Sequence, residues 1–139
     1  MPIRNFERFK TNGLALAKIR ALFIICKNMR KFGRTTDQRR AFLKGLAANL
    51  ILKEKIKTTQ ARAKELRSTV ERLISCAKKN DLAAKRRVFA SLPKVAAKKL
   101  IKEIAPKFTS RKGGYTRVIK LGQRMSDGAK MAFIEIIKD

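Results

Sequence analysis

The sequence predicts an α+β domain in two layers, with helices covering a small mixed three-stranded sheet in the order α-β-α-α-α-β-β behind a basic N-terminal arm. Two patterns and one quantity predict it. Apolar residues recur at helical steps of three and four between residues 42 and 104, and two β-rich segments joined by turn residues close the chain. Hydrophobic residues make up 45% of 139, enough to bury one core and cover one face of a sheet.

Residues 29–37, MRKFGRTTD, read as a basic arm. Thr35 is then an N-cap with Gln38 at the capping-box position, and the helix it starts runs to about Leu52 with Phe42, Leu43, Leu46, Ala47, Leu50 and Ile51 as its apolar stripe. Arg39, Arg40 and Lys44 fall mostly away from that stripe. Glu54 to Thr58 partly alternates and is a strand, followed by a helix whose stripe is Ala63, Leu66, Val70, Leu73, Ile74 and Ala77. Arg62, Lys64, Arg67 and Arg72 face elsewhere. Asn80-Asp81 interrupts that helix, and Asp81 caps a short third one bearing the cluster Lys85, Arg86 and Arg87. Pro93 suits the first turn of a fourth helix, with Ala96, Leu100, Ile101 and Ile104 on its core side, and Pro106 is expected to end it. KFTSRKGG at 107–114 is a basic loop. Tyr115 to Leu121 and Met131 to Ile137 are strands, joined by a segment with turn signals at Gly122 and Asp127-Gly128.

Residues 1–28 stand apart. The run from Leu14 to Cys26 is shorter than the roughly 20 apolar residues of a membrane span and is interrupted by Lys18 and Arg20. An organelle transit peptide, an amphipathic surface helix, a non-native extension upstream of a start at Met29, and a helix packing Leu14, Ile19, Leu22 and Phe23 on the domain all stay open. The expectation is that this segment is poorly ordered or absent from the functional protein.

Lys and Arg number 36 against 10 Asp and Glu, a formal charge of +26. Self-repulsion at this charge opposes compaction and implies a polyanionic partner, nucleic acid before an anionic membrane. There is no His, so the usual general base near neutral pH is missing. Cys26 and Cys76 form no zinc or disulfide pattern and are read as reduced thiols, while Glu54, Glu65, Glu71, Asp81 and Glu103 each sit among cations, as in helix-surface pairing. These features point to no catalytic residue, no metal, no cofactor and no small-molecule substrate. Net charge is +5 on 1–28, +7 on 29–59, +6 on 60–91, +6 on 92–112 and +2 on 113–139. A single DNA recognition helix would concentrate it more, so wraparound contact with folded RNA fits better, with a DNA-binding architectural protein as the alternative.

Arg30, Lys31, Arg34, Thr35, Arg39 and Arg40 make an Arg-rich arm and first helical turn able to grip phosphates bidentately and to fold on binding. Lys107, Arg111 and Lys112 with Gly113-Gly114 form a second candidate phosphate cradle. Tyr115 is a candidate base stacker, although core packing is the more frequent outcome for a strand-edge tyrosine.

The stretch Ile56-Lys57-Thr58-Thr59-x-x-Arg62-Ala63-Lys64-Glu65-Leu66-Arg67, followed by Glu71-x-Leu73-Ile74 and Ala77-Lys78, resembles the signature of the bacterial-type large-subunit ribosomal protein seventeen family. Arg30 to Thr35 resembles that family's N-terminal arm. Arg111-x-Gly113-Gly114-Tyr115-Thr116-Arg117 and Met131-Ala132-Phe133-Ile134-Glu135 resemble its C-terminal half. Two departures stand out: residues 1–28 replace a short basic tail, and Ser75 stands where Thr is common. The resemblance implies a non-enzymatic constituent of the large subunit that binds large-subunit rRNA near the outer end of the exit tunnel, beside neighbouring ribosomal proteins. It implies no membrane, and a bacterial cytoplasm, or an organelle if residues 1–28 are a transit peptide. With it, Lys44, Lys64, Arg67 and Arg117 join the candidate RNA contacts named above, and residues 29–139 form the ribosomal-protein domain.

Overall fold

The structure is a computed structural model that describes residues 29–137; the expectations for residues 1–28 lie outside them. Helix α1 (Thr36–Lys53) starts at Thr35, whose N–H donates to Gln38 Oε1 at 3.3 Å as the capping pattern requires. It ends at Glu54, where φ of 61° turns the chain directly into strand β1 (Lys55–Thr59). Lys99 closes that end, its Nζ lying 2.8 Å from the Leu52 carbonyl oxygen and 3.4 Å from Glu54 Oε1. Helix α2 (Gln60–Lys78) follows, stopped by Asn80 in the left-handed conformation, and α3 (Leu82–Ser91) starts behind Asp81.

Pro93 is the N-cap of α4 (Lys94–Lys99) rather than a residue inside its first turn. Nor does Pro106 end the helix. The chain widens into a π-helical turn at Leu100–Ile104, in which the Ala105 N–H donates to the Leu100 carbonyl, and then returns to α geometry in α5 (Ala105–Lys107) with Pro106 inside it. A proline lacks the N–H an α-turn would use and its ring crowds the carbonyl four residues back. Slipping the hydrogen-bond register one residue before Pro106 makes room for both, and keeps Leu100, Ile104 and Ala105 buried.

Strands β2 (Thr116–Gln123) and β3 (Lys130–Ile136) form a hairpin, and β3 lies between β2 and β1. Both pairings are antiparallel, which corrects the expected mixed sheet. A parallel pair would need β1 beside β2. Instead the most apolar strand takes the centre, where Ala132, Ile134 and Ile136 face the helices and both its edges are hydrogen-bonded. In the β2–β3 ladder Lys120 pairs with Ala132 and Gly122 with Met131, so Leu121 is an extra residue in a bulge, and Gly122 supplies the φ of 88°. Beyond Val118 the whole of β2 is exposed.

One core joins the layers. Leu66, Val70 and Ile74 of α2, Leu50 and Ile51 of α1, Val88 of α3, Leu100 and Ile134 are fully excluded from solvent. Phe108 and Tyr115 close it below the basic loop, with ring centroids 5.1 Å apart. Leu66→Ala is expected to cost about 2–5 kcal/mol in chemical denaturation, as for other buried leucines.

At the hairpin tip, Arg124 grips Asp127 with both carboxylate oxygens engaged, Nε to Oδ1 at 2.8 Å and Nη2 to Oδ2 at 2.6 Å, while the Ala129 N–H donates to Oδ1 at 3.2 Å. The Arg124 hydrogen bonds, helped by the backbone, lower the Asp127 carboxyl to about 2. A carboxyl held lower in the folded state stabilises the turn fully above its unfolded value near 4 and loses that contribution as pH falls through about 2. Carboxyl chemical shifts across a pH titration are expected to place Asp127 near 2, and Arg124→Ala to return it to the ordinary range.

Candidate nucleic-acid interface

From Lys31 onward the arm folds back in a turn. Phe32 and Gly33 both have positive φ, 58° and 64°, and the Arg34 N–H donates to the Lys31 carbonyl at 3.2 Å, closing a turn of the type that reverses hairpins. Glycine takes this conformation without strain, whereas a phenylalanine there must be held by its contacts. The Phe32 ring meets the edge of Phe42 at 5.9 Å between centroids, and the Arg34 guanidinium lies 4.2 Å from the Phe42 centroid. Arg62, on the first turn of α2, covers the same ring at 5.3 Å.

The other arm residues divide by role. Arg30, Lys31 and Thr35 are exposed. Arg40 is exposed too and lies 3.5 Å from Asp37 one turn earlier. Arg39 was expected to face the partner, but its side chain is 15% exposed and its Nη2 sits 3.1 Å from Glu65 Oε2, tying α1 to α2. Helix phase explains the difference: the arginine is off the apolar stripe yet at the edge of the α1–α2 seam, where a carboxylate from the other helix meets it.

Lys64 is exposed on α2, and Arg67 pairs with Glu71 at 3.1 Å. Lys44 reaches from α1 to the Ala90 carbonyl of α3 at 3.3 Å. Lys107 and Lys112 are exposed, and Arg111 is half-buried. The Arg111 carbonyl accepts from Tyr115 Oη at 3.1 Å and from Lys78 Nζ, which pins the basic loop to the end of α2. Tyr115 is 2% exposed against Phe108, so of its two readings core packing is the one the fold adopts. Strand alternation alone could not say which face Tyr115 takes; the hydrogen bond of its hydroxyl shows why a tyrosine serves there. Arg117 lies on the sheet face away from the helices, 3.7 Å from Glu135, which also takes Lys55 at 3.5 Å.

The candidate cations therefore do not converge on one patch. One group, Arg34 with Arg62, sits at the start of α2; the other, Lys107 to Lys112 with Lys78, sits at its end. At 1.5 Å per residue the helix holds Arg62 and Lys78 roughly 24 Å apart along its axis. Sequence reading missed Arg62. Its spacing within α2 says only that it leaves the stripe, and its ring partner lies on another helix. Among the described residues, no group of three or more His, Cys, Asp or Glu is arranged to hold a metal ion. The carboxylates at Glu54, Glu65, Glu71, Glu135 and Asp127 each face a lysine or arginine of the chain.

Residues 42–137, all of the fold from the middle of α1 through β3, match the family described as Ribosomal protein L17. The chain belongs to the ribosomal protein L17 family. Among relatives, the protein named large ribosomal subunit protein bL17 of Staphylococcus haemolyticus (strain JCSC1435) is 49% identical over 119 residues, covering 78% of this chain and 97% of its own length. The bL17 proteins of Staphylococcus aureus (strain JH9) and Staphylococcus carnosus (strain TM300) are 49% and 50% identical over the same length, each covered to 98%. The L17 match opens at Phe42 itself, the ring on which the arm turns.

The two neighbouring arginines of α1 separate the roles of the L17 surface. Arg39→Ala is expected to cost about 1–3 kcal/mol of folding stability, because it strands the half-buried Glu65 carboxylate. Arg40→Ala should stay within about 0.5 kcal/mol. Urea unfolding of both variants checks the contrast.

Proposed function

We propose that the chain is a non-enzymatic, structural constituent of the large ribosomal subunit, and that it binds and scaffolds large-subunit rRNA near the exit-tunnel face beside neighbouring large-subunit proteins. The observation that carries the reading is the pair of cation groups at the two ends of α2, built on one rigid core. Each group offers arginine and lysine donors to phosphate, and the helix between them sets their separation, so two RNA segments are held at a fixed distance. Binding displaces condensed counterions from each phosphate, which supplies affinity without reading bases. The relatives' printed names, large ribosomal subunit protein bL17, support the ribosomal assignment. The bacterial cytoplasm is the compartment that goes with it; among the described residues no helix is long and apolar enough to cross a membrane. The working domain in this reading is residues 29–139; among the described residues the core cluster runs from Ala47 to Ile136.

Affinity for naked large-subunit rRNA, measured from low to high KCl, tests it. Five to eight phosphate contacts give a log-log slope of about −4 to −7, and a chain beginning at Met29 should fold and bind with the same slope. A salt-insensitive affinity, or equal affinity for random duplex DNA, would remove the reading.

A further inference from the structure

We infer that Phe42 organises Arg34 and Arg62 into a paired grip for the phosphodiester backbone of one RNA strand, with Arg62 as a binding residue and Phe42 as its positioning residue. The inference rests on the rRNA-binding reading and names a specific site within it.

Two arginines from separate parts of the chain, one from the arm turn and one from the first turn of α2, converge on a single ring at 4.2 and 5.3 Å. Like charges brought this close repel, and nearby carboxylates could relieve them. The two closest in the chain are engaged elsewhere: Glu65 holds Arg39, and Asp37 lies beside Arg40. Among the described residues the Arg34 guanidinium makes one hydrogen bond, from Nη1 to the Phe32 carbonyl at 3.2 Å. Among the described residues Arg62 has the ring contact and no hydrogen bond or ion pair. Most of the ten N–H donors of the two guanidiniums therefore have no partner among the described residues, and both arginines are only half-buried.

The ring supplies what the anion does not. Stacking fixes the plane of each guanidinium and removes much of the freedom that a long side chain would otherwise lose on binding. The arm turn at Phe32-Gly33 adds to this, since it delivers Arg34 to the ring before any partner arrives. A phosphate offers acceptors in the geometry of the planar fork, and a strand offers phosphates in succession, so both arginines can be engaged at once. A lysine pair would supply the charge without the stacking or the fork.

The full chain is assayed against naked large-subunit rRNA by filter binding at several KCl concentrations. Arg62→Gln and Arg34→Gln should each weaken binding about 5- to 20-fold at moderate salt and reduce the steepness of the log-log slope by about 0.7–0.9, one contact each. Phe42→Leu should weaken binding about 3- to 10-fold with the slope unchanged, because the charges remain and only their placement is lost. Arg62→Lys, a surface change that keeps the fold and the charge, should likewise keep the slope and lose affinity. Wild-type affinity in Arg62→Gln or Arg62→Lys overturns the grip while leaving rRNA binding intact, and a reduced slope in Phe42→Leu overturns the positioning role. Absence of salt-dependent binding by the wild-type chain overturns both this site and the reading on which it rests.

Discussion

The buried stripe of α2 is the constraint on which the rest of the molecule depends. Ala63, Leu66, Val70, Ile74 and Ala77 leave no room for solvent, and α1, α3, the π-helical turn and the sheet all pack against them. Because one helix carries both the core and the cations at its ends, burial of the stripe also fixes where those cations stand. The apolar face decides where α2 lies, and its first and last turns then have fixed positions. A soluble helix with this much charge would not persist on propensity alone; tertiary packing of the stripe holds it.

Against that burial stands a formal charge of +26. The fold spends its few carboxylates as cross-links between elements: Glu65 joins α2 to α1, Glu54 faces Lys99 of α4, Glu71 takes both Arg67 and the Thr116 hydroxyl of β2, and Glu135 sits between Lys55 and Arg117 across three strands. Each such contact ties cations that belong to the seams. Further exposed cations run from the arm over α2 (Lys64), α3 (Arg86, Arg87) and α4 (Lys94, Lys98) to Lys107 and Lys112. In the proposed reading rRNA would meet that excess, and the core that tolerates the repulsion would give it a fixed spacing between contacts.

The departures from expectation share one cause. Arg39 and Arg40 are adjacent and chemically identical, yet one is an interhelical tie and the other an exposed cation, because only Arg39 meets a carboxylate from α2. Tyr115 looked able to stack on a base, and its burial follows from Phe108, seven residues earlier and across a loop. Pro106 should break a helix, and a π-turn whose buried residues repay the irregular register carries the chain through it. In each case the local rule was sound and a long-range contact overrode it. Arg62 is the converse: nothing local distinguished it from Lys64 or Arg67, and only the fold sets it on Phe42.

By itself the sequence determined the element order, the apolar stripes of α1 and α2, the helix starts at Thr35 and Asp81, the β-hairpin at the C-terminal end and the strongly positive charge. These depend on periodicity, on turn chemistry and on summed charge, all of which act over a few residues or over the whole chain irrespective of path. The tertiary structure alone decided that β3 is the central strand and the sheet antiparallel throughout, which arginines are tied and which face outward, and that the arm folds back onto Phe42. Those outcomes turn on which side chains meet from positions distant in sequence, and the free energy of a charge or a ring is set by what it touches.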